Sequence, residues 1–208
     1  MPDLKRGVFI ALEGVDGAGS STQTRLLVDL LAAKGFSAVA TKEPNPSGFI
    51  EPAIRLSLAQ PSGSPVVDAL LFAADRADHV DRLIRPALAD RKIVVSDRYL
   101  ESSVAYQCAQ GLDERWILAI NKHALKPDLT IIMDIDPEVS LSRKKSPPER
   151  YENPDFLRKV RQKFLDRAAR KGYEVVDASK PVDEVHTEIV RRILPLLISV
   201  ASEGQRRV

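Results

Sequence analysis

The run Ile10-Ala11-Leu12-Glu13 passes directly into Gly14-Val15-Asp16-Gly17-Ala18-Gly19-Ser20-Ser21-Thr22, and this join constrains the fold more than any other stretch. An apolar segment that feeds a glycine-rich turn and then a helix start is the phosphate-binding layout G-x-x-x-x-G-K-[ST]. Gly14 and Gly19 keep the spacing, and Ser21 stands where a hydroxyl meets Mg²⁺. Glycines at such a turn let backbone N–H groups converge on an anion, and the helix N-terminus adds partial positive charge. One position departs: Ser20 stands where a lysine would reach the β- and γ-phosphates. The loop predicts phosphoryl chemistry, and its missing cation asks for a substitute. A glycine-rich strand-to-helix turn without a ligand is the plainer alternative.

The rest of the chain alternates. Strand-like segments at 8–12, 38–41, 93–96, 129–134 and 174–177 are separated by helical stretches near 21–34, 65–89, 99–124, 154–171 and 182–202. Alternation of this kind predicts a parallel α/β sheet, and near-continuous apolar strands predict helices on both faces. A length of 208 residues suits one domain, 1–208, with a sizeable core. A formal charge of +2 gives no reason to expect nucleic acid binding. No apolar run approaches the ~20 residues that span a bilayer, so no membrane contact is expected. Cys108 is the sole cysteine, which leaves no internal disulfide and suits the cytoplasm. His79, His123 and His186 show no ligand spacing, so zinc is not expected.

Four stretches, in order along the chain, resemble the thymidylate kinase family. They are Glu13-Gly14-Val15-Asp16-Gly17-Ala18-Gly19, then Leu71-Phe72-Ala73-Ala74-Asp75-Arg76-Ala77-Asp78-His79, then Asp97-Arg98-Tyr99-Leu100-Glu101-Ser102-Ser103-Val104-Ala105-Tyr106-Gln107, and last Asp134-Ile135-Asp136-Pro137-Glu138 with Glu149-Arg150-Tyr151-Glu152 further on. The third is the most specific. The resemblance implies a three-layer α/β P-loop NTPase fold, with a five-stranded parallel sheet flanked by helices and a basic lid near 143–153. It implies transfer of the γ-phosphate of ATP to dTMP with Mg²⁺, and a homodimer formed through the helix near 65–88.

By the same resemblance the ATP phosphates fall to Gly14, Val15, Asp16, Gly17, Ala18, Gly19, Ser20, Ser21 and Thr22. The dTMP site falls to Glu43, Phe72, Arg76, Arg98, Ser102, Ser103, Tyr106 and Gln107, the metal to Ser21 and Asp97, and catalysis to Asp16, Arg98, Arg143 and Arg150. Several of these roles have independent physical sense. Phe72 offers a flat face to a base, a contact worth roughly 1–3 kcal/mol, though core packing would explain it too. Arg76 lies four residues on and shares its helical face; a surface ion pair with Asp75 or Asp78 is its alternative. Asp97 and Arg98 follow an apolar strand directly, where open parallel sheets bind ligands. Ser102 and Ser103 offer hydroxyls to a base edge, Tyr106 crowds a sugar 2′ position, and Gln107 is either a nucleotide contact or a surface amide. Glu13 is expected to be structural.

The family commonly carries lysine where Ser20 stands, and arginine where Lys42 stands in Thr41-Lys42-Glu43-Pro44-Asn45-Pro46. Losing a preorganised donor at a developing charge costs roughly 2.7–4 kcal/mol. The basic segment Arg143, Lys144, Lys145 and Arg150 offers a substitute, with Arg143 or Arg150 expected to neutralise the transferred phosphate on lid closure. Two alternatives stay open: a related kinase with another acceptor such as dUMP, and a nucleotide-binding regulator with little turnover.

Overall fold

All seven residues of the first strand, β1 (Val8–Gly14), are buried, a pattern that only a sheet covered on both faces permits. The computed structural model describes residues 4–60, 62–143, 151 and 153–202. Its five strands are β1, β2 (Ala38–Lys42), β3 (Ile93–Asp97), β4 (Leu129–Asp134) and β5 (Glu174–Asp177), all parallel in the order β2-β3-β1-β4-β5. Side chains alternate across β1. Val8, Ile10 and Leu12 enter the larger core, while Phe9 and Ala11 enter a second cluster with Val80, Ile84 and Tyr99. Chain order reverses at β1, with β2 and β3 on one side and β4 and β5 on the other. Ligands in open parallel sheets bind beyond the strand ends at such a reversal.

Helices α1 (Ser20–Ala33), α2 (Glu51–Leu58), α3 (Pro65–His79), α4 (Arg85–Ala89), α5 (Leu100–Ala109), α6 (Glu114–Ile120), α7 (Pro137–Ser142), α8 (Pro154–Lys171) and α9 (Val182–Ser202) complete the described residues. The stretch expected as one helix over 99–124 is two, because Gly111 turns at φ 93° and the Asp113 side chain caps α6 by accepting from the Trp116 N–H. The helix expected over 65–89 runs on, but through a π-helical turn at Val80–Ile84 that joins α3 to α4. Pro86 lies just beyond it; its ring lacks a donor and crowds the carbonyl four residues back, and a widened turn relieves both. The short helices α2 and α7 were not foreseen.

One residue of β1 breaks its apolar run. Glu13 is fully buried and its carboxylate faces the start of α5, accepting from the backbone N–H of Glu101 at 2.9 Å and of Ser102 at 3.1 Å, and from the Ser102 hydroxyl at 2.6 Å. Carboxylates favour helix N-termini for just this reason. Glu101 is buried beside it and is gripped by Arg167 of α8 through two hydrogen bonds of 2.6 and 2.7 Å, with the Tyr173 hydroxyl donating at 2.8 Å. Arg167 also reaches Glu114 at 2.7 Å. These groups tie β1, α5, α6 and α8 together beneath the strand ends.

Two outcomes follow from the buried charges. Arg167→Ala leaves Glu101 unpaired in the interior and is expected to cost about 3–5 kcal/mol in urea unfolding, part of which returns when Glu101→Gln is added. Burial pushes the Glu13 carboxyl up to about 7 from 4.5, Glu101 adding to the shift while the Ser102 hydrogen bond, Arg98 and Arg76 oppose it. The fold therefore holds that proton more tightly than the unfolded chain does, and Glu13's contribution to stability falls as pH rises from about 4.5 to about 7. Glu13→Gln is expected to gain on the wild type across this window by up to about 1.4 kcal/mol per pH unit, read from unfolding curves at a series of pH values.

Candidate active site

The turn after β1 takes its shape from backbone contacts. Gly17 has φ 82°, and a Cβ there would meet the Ser140 carbonyl oxygen of α7 at 2.3 Å; Gly19 has φ 90° and precedes α1. Neither conformation nor space admits a side chain at Gly17. The N-terminus of α1 has no side-chain cap and no acidic residue in its first turn, so its N–H groups and dipole are left for an anion. Asp16, Gly17, Ala18, Gly19, Ser20, Ser21 and Thr22 line the resulting cleft. Gly14 and Val15 do not. Val15 is a core side chain, and Gly14 sits so close to the Met133 carbonyl that a Cβ would come within 2.8 Å. They set the path of the loop from behind.

Asp97 ends β3 beside this loop and accepts a short hydrogen bond from the Ser21 hydroxyl through Oδ2. Its other oxygen, Oδ1, is buried without a hydrogen-bond partner. A hydroxyl next to a carboxylate with an orphaned oxygen, at the mouth of an anion-binding loop, fits a hard divalent cation that shares its shell with phosphate and water. Among the described residues no three His, Cys, Asp or Glu side chains form a metal cluster.

Arg98 leaves β3 with φ 69°, a left-handed backbone rare for a side-chain-bearing residue. Two hydrogen bonds hold it there: its N–H donates to the Leu12 carbonyl at 2.8 Å, and its carbonyl accepts from the Ser96 hydroxyl at 2.7 Å. The guanidinium then donates to Asp16 at 2.8 Å and to the Ser102 hydroxyl at 3.0 Å, and lies 5.3 Å over the Tyr106 ring. Burial works against its charge, but Asp16, Tyr106, Asp97 and Glu13 more than offset this and raise its pKa further. Tyr106 donates to Asp16 at 3.0 Å and accepts from the Asp16 N–H at 3.2 Å. Burial pushes the Tyr106 phenol up, so it stays a donor.

A second cleft opens on the other side of Arg98. Phe72, Arg76, Ser103, Tyr106, Gln107 and Tyr151 line it, with Glu43 and Ser102. Phe72 is half-buried on the cleft wall rather than in the core. Arg76 is 2% exposed and makes no surface pair. It meets Glu43 at 2.7 Å, the Tyr99 carbonyl at 3.1 Å, the Ser103 hydroxyl at 2.9 Å and Asn121. Asp75 instead accepts from the Asn45 N–H, and Asp78 pairs with Arg82. Glu43, with His79 3.2 Å from its other oxygen, is a buttress behind Arg76. Gln107 is buried, not a surface amide, and its Oε1 has no partner; the Arg76 Nε is likewise buried and unpartnered.

Two of the expected site residues already have partners within the fold. The Ser102 hydroxyl donates to Glu13 and accepts from Arg98 at the wall of the second cleft. Arg143 donates to the Ala178 carbonyl at 2.9 Å and the Ser179 carbonyl at 3.0 Å. Those two oxygens hold it against the loop after β5, at the wall of the phosphate-loop cleft. Residues 144–150 and 152 lie outside the described residues, and with them Arg150, Glu152 and most of the expected lid. Tyr151, at the edge of the undescribed stretch, places its hydroxyl against Asp68 and Gln110 at the cleft wall. The structural role of Glu13 was expected, but its link to Arg98 through Ser102 was not; a lone acid in an apolar strand was the available signal.

Comparison with known proteins agrees with this geometry. A family profile described as thymidylate kinase matches residues 12–189. A probable thymidylate kinase of Pyrobaculum aerophilum is 45% identical over 188 residues, covering 89% of this chain and 95% of that protein. Proteins of the same name from Thermococcus kodakarensis and Staphylothermus marinus are 40% and 42% identical, covering 91% and 92% of this chain and 98% and 97% of theirs. With the phosphate loop, the Arg98 junction and the second cleft all inside the matched span, the chain belongs to the thymidylate kinase family.

Proposed function

We propose that this protein transfers the γ-phosphoryl group of ATP to dTMP, giving ADP and dTDP. The observation that carries the reading is Arg98: one part-buried, fixed guanidinium stands where the phosphate-loop cleft and the Phe72 cleft meet. ATP takes the first cleft, with its phosphates on the α1 N-terminus. dTMP takes the second. The unpartnered Arg76 Nε and Gln107 Oε1 offer one donor and one acceptor, the pair that a thymine edge needs for its O4 and N3–H. Phe72 supplies the stacking face. Tyr106, tied to Asp16, closes the space beside the sugar and favours deoxyribose.

The chemistry asks little covalent work of the protein. An anionic acceptor phosphate needs no general base, so alignment, charge neutralisation and exclusion of water carry the rate. Arg98 holds the acceptor phosphate against the donor, and Asp16 and Ser102 keep its fork aimed. Ser21 and Asp97 would hold Mg²⁺, which when bound neutralises charge on the donor phosphates. Leu56 of α2 and Val66, Val67 and Leu70 of α3 are exposed apolar side chains that suit cover by a second copy of the chain.

A panel of nucleoside monophosphates at fixed ATP and Mg²⁺ tests the reading. dTMP is expected to drive ADP release fastest, ahead of dUMP and of ribonucleotides; no stimulation by dTMP would defeat it and favour a regulator. Arg98→Ala is expected to lower kcat by about 10²–10³-fold. Val67→Glu combined with Leu70→Glu is expected to sediment as a monomer if the α3 face is the dimer contact.

A further inference from the structure

The phosphate loop lacks its ammonium group, and the described residues narrow the choice of a replacement. Ser20 is 8% exposed at the first residue of α1, with a short neutral side chain. Four cations line the donor cleft: Lys42, Arg98, Arg143 and Lys180. Arg98, aimed by Asp16 and Ser102, is already assigned to the acceptor phosphate. Arg143 has both terminal nitrogens on the carbonyls of Ala178 and Ser179. Lys180 stands on that same loop after β5, away from β3. Lys42 is different. It ends β2 in register with Asp97, and its Nζ lies 3.9 Å from Asp97 Oδ2, the oxygen that also accepts the Ser21 hydroxyl. A separation of 3.9 Å is beyond a hydrogen bond, and the side chain is 45% exposed, so the ammonium is near the loop without being fixed there. It also lines both clefts.

We propose that Lys42 supplies the cation missing from the phosphate loop, contacting the terminal phosphoryl of the donor from β2 rather than from α1. The proposal rests on the phosphoryl-transfer reading above. An oxygen of the acceptor phosphate bonds to the γ-phosphorus while the bond from that phosphorus to the β–γ bridging oxygen breaks, and ADP leaves with the electron pair. Lys42 keeps its protons throughout. A compact ammonium on a flexible stem suits this place better than a planar guanidinium fork. From the join of the two clefts it can follow the phosphoryl group as it crosses, whereas a lysine at position 20 would reach only from the donor side.

The test separates a donor role from simple grip on the acceptor. Mg·ATP affinity is titrated without any acceptor, by displacement of a fluorescent ATP analogue, and kcat is then measured with dTMP. Lys42→Ala is expected to weaken Mg·ATP binding about tenfold and lower kcat about a hundredfold, with Lys42→Arg between it and the wild type. Ser20→Lys placed in the Lys42→Ala background is expected to regain at least about tenfold in kcat, which mere support of Asp97 by Lys42 would not allow. Unchanged Mg·ATP affinity in Lys42→Ala, with only the KM for dTMP raised, overturns the proposal. Donor affinity is read with no acceptor present, so it reports on Lys42 even if dTMP is not the acceptor, and the two failures stay distinct.

Discussion

A carboxylate sealed under the first turn of α5 sets the geometry on which the rest of the site depends. Glu13 receives two backbone N–H groups and the Ser102 hydroxyl, and that hydroxyl in turn receives Arg98. Arg98 reaches Asp16, and Asp16 reaches Tyr106. A single chain of hydrogen bonds thus runs from the middle of the sheet to the wall of the acceptor cleft. Fully satisfied buried networks of this kind fix one arrangement, because each alternative strands a polar group in a low-dielectric interior. Arg167 secures the same region from α8 by holding Glu101, so the first turn of the helix that carries Ser102, Ser103, Tyr106 and Gln107 is held from both β1 and α8.

The two clefts are built on different physics. The donor side is backbone: a turn whose glycines admit no side chain, lying on the Ser140 carbonyl and opening toward a helix N-terminus. Under the proposed reading it would recognise phosphate by partial charges that the peptide chain carries regardless of sequence. The acceptor side is made of side chains, each held by another: Arg76 by Glu43 and Asn121, Glu43 by His79, and Tyr106 by Asp16. Under the proposed reading, base selectivity resides on the second side, where Arg76 Nε and Gln107 Oε1 are left without partners.

The strands and the phosphate loop were legible in the sequence because they follow local rules. Continuous apolar runs such as Ile93-Val94-Val95 have few other folds open to them, and glycine spacing at a turn is a backbone requirement. The shared helical face of Phe72 and Arg76 was legible for the same reason. Partnerships across the fold were not. That Ser102 would be consumed by Glu13, that Gln107 would be buried with an oxygen to spare, or that Arg143 would be drawn to two carbonyls after β5 depends on which helix packs where. Spacing carries no record of that. The break between α5 and α6 lay in view, in Gly111 and Asp113, but helical periodicity on either side masked it.

The left-handed backbone at Arg98 has a consequence for how such a chain can change over time. A side chain in that conformation costs about 1–2 kcal/mol relative to glycine, and the fold gives up that stability at a guanidinium that lines both clefts. Substitution by glycine would release the tension but take away the guanidinium and its hydrogen bonds to Asp16 and Ser102. Backbone ease and turnover therefore pull in opposite directions at this residue, as they do not at Arg91, the other left-handed arginine among the described residues.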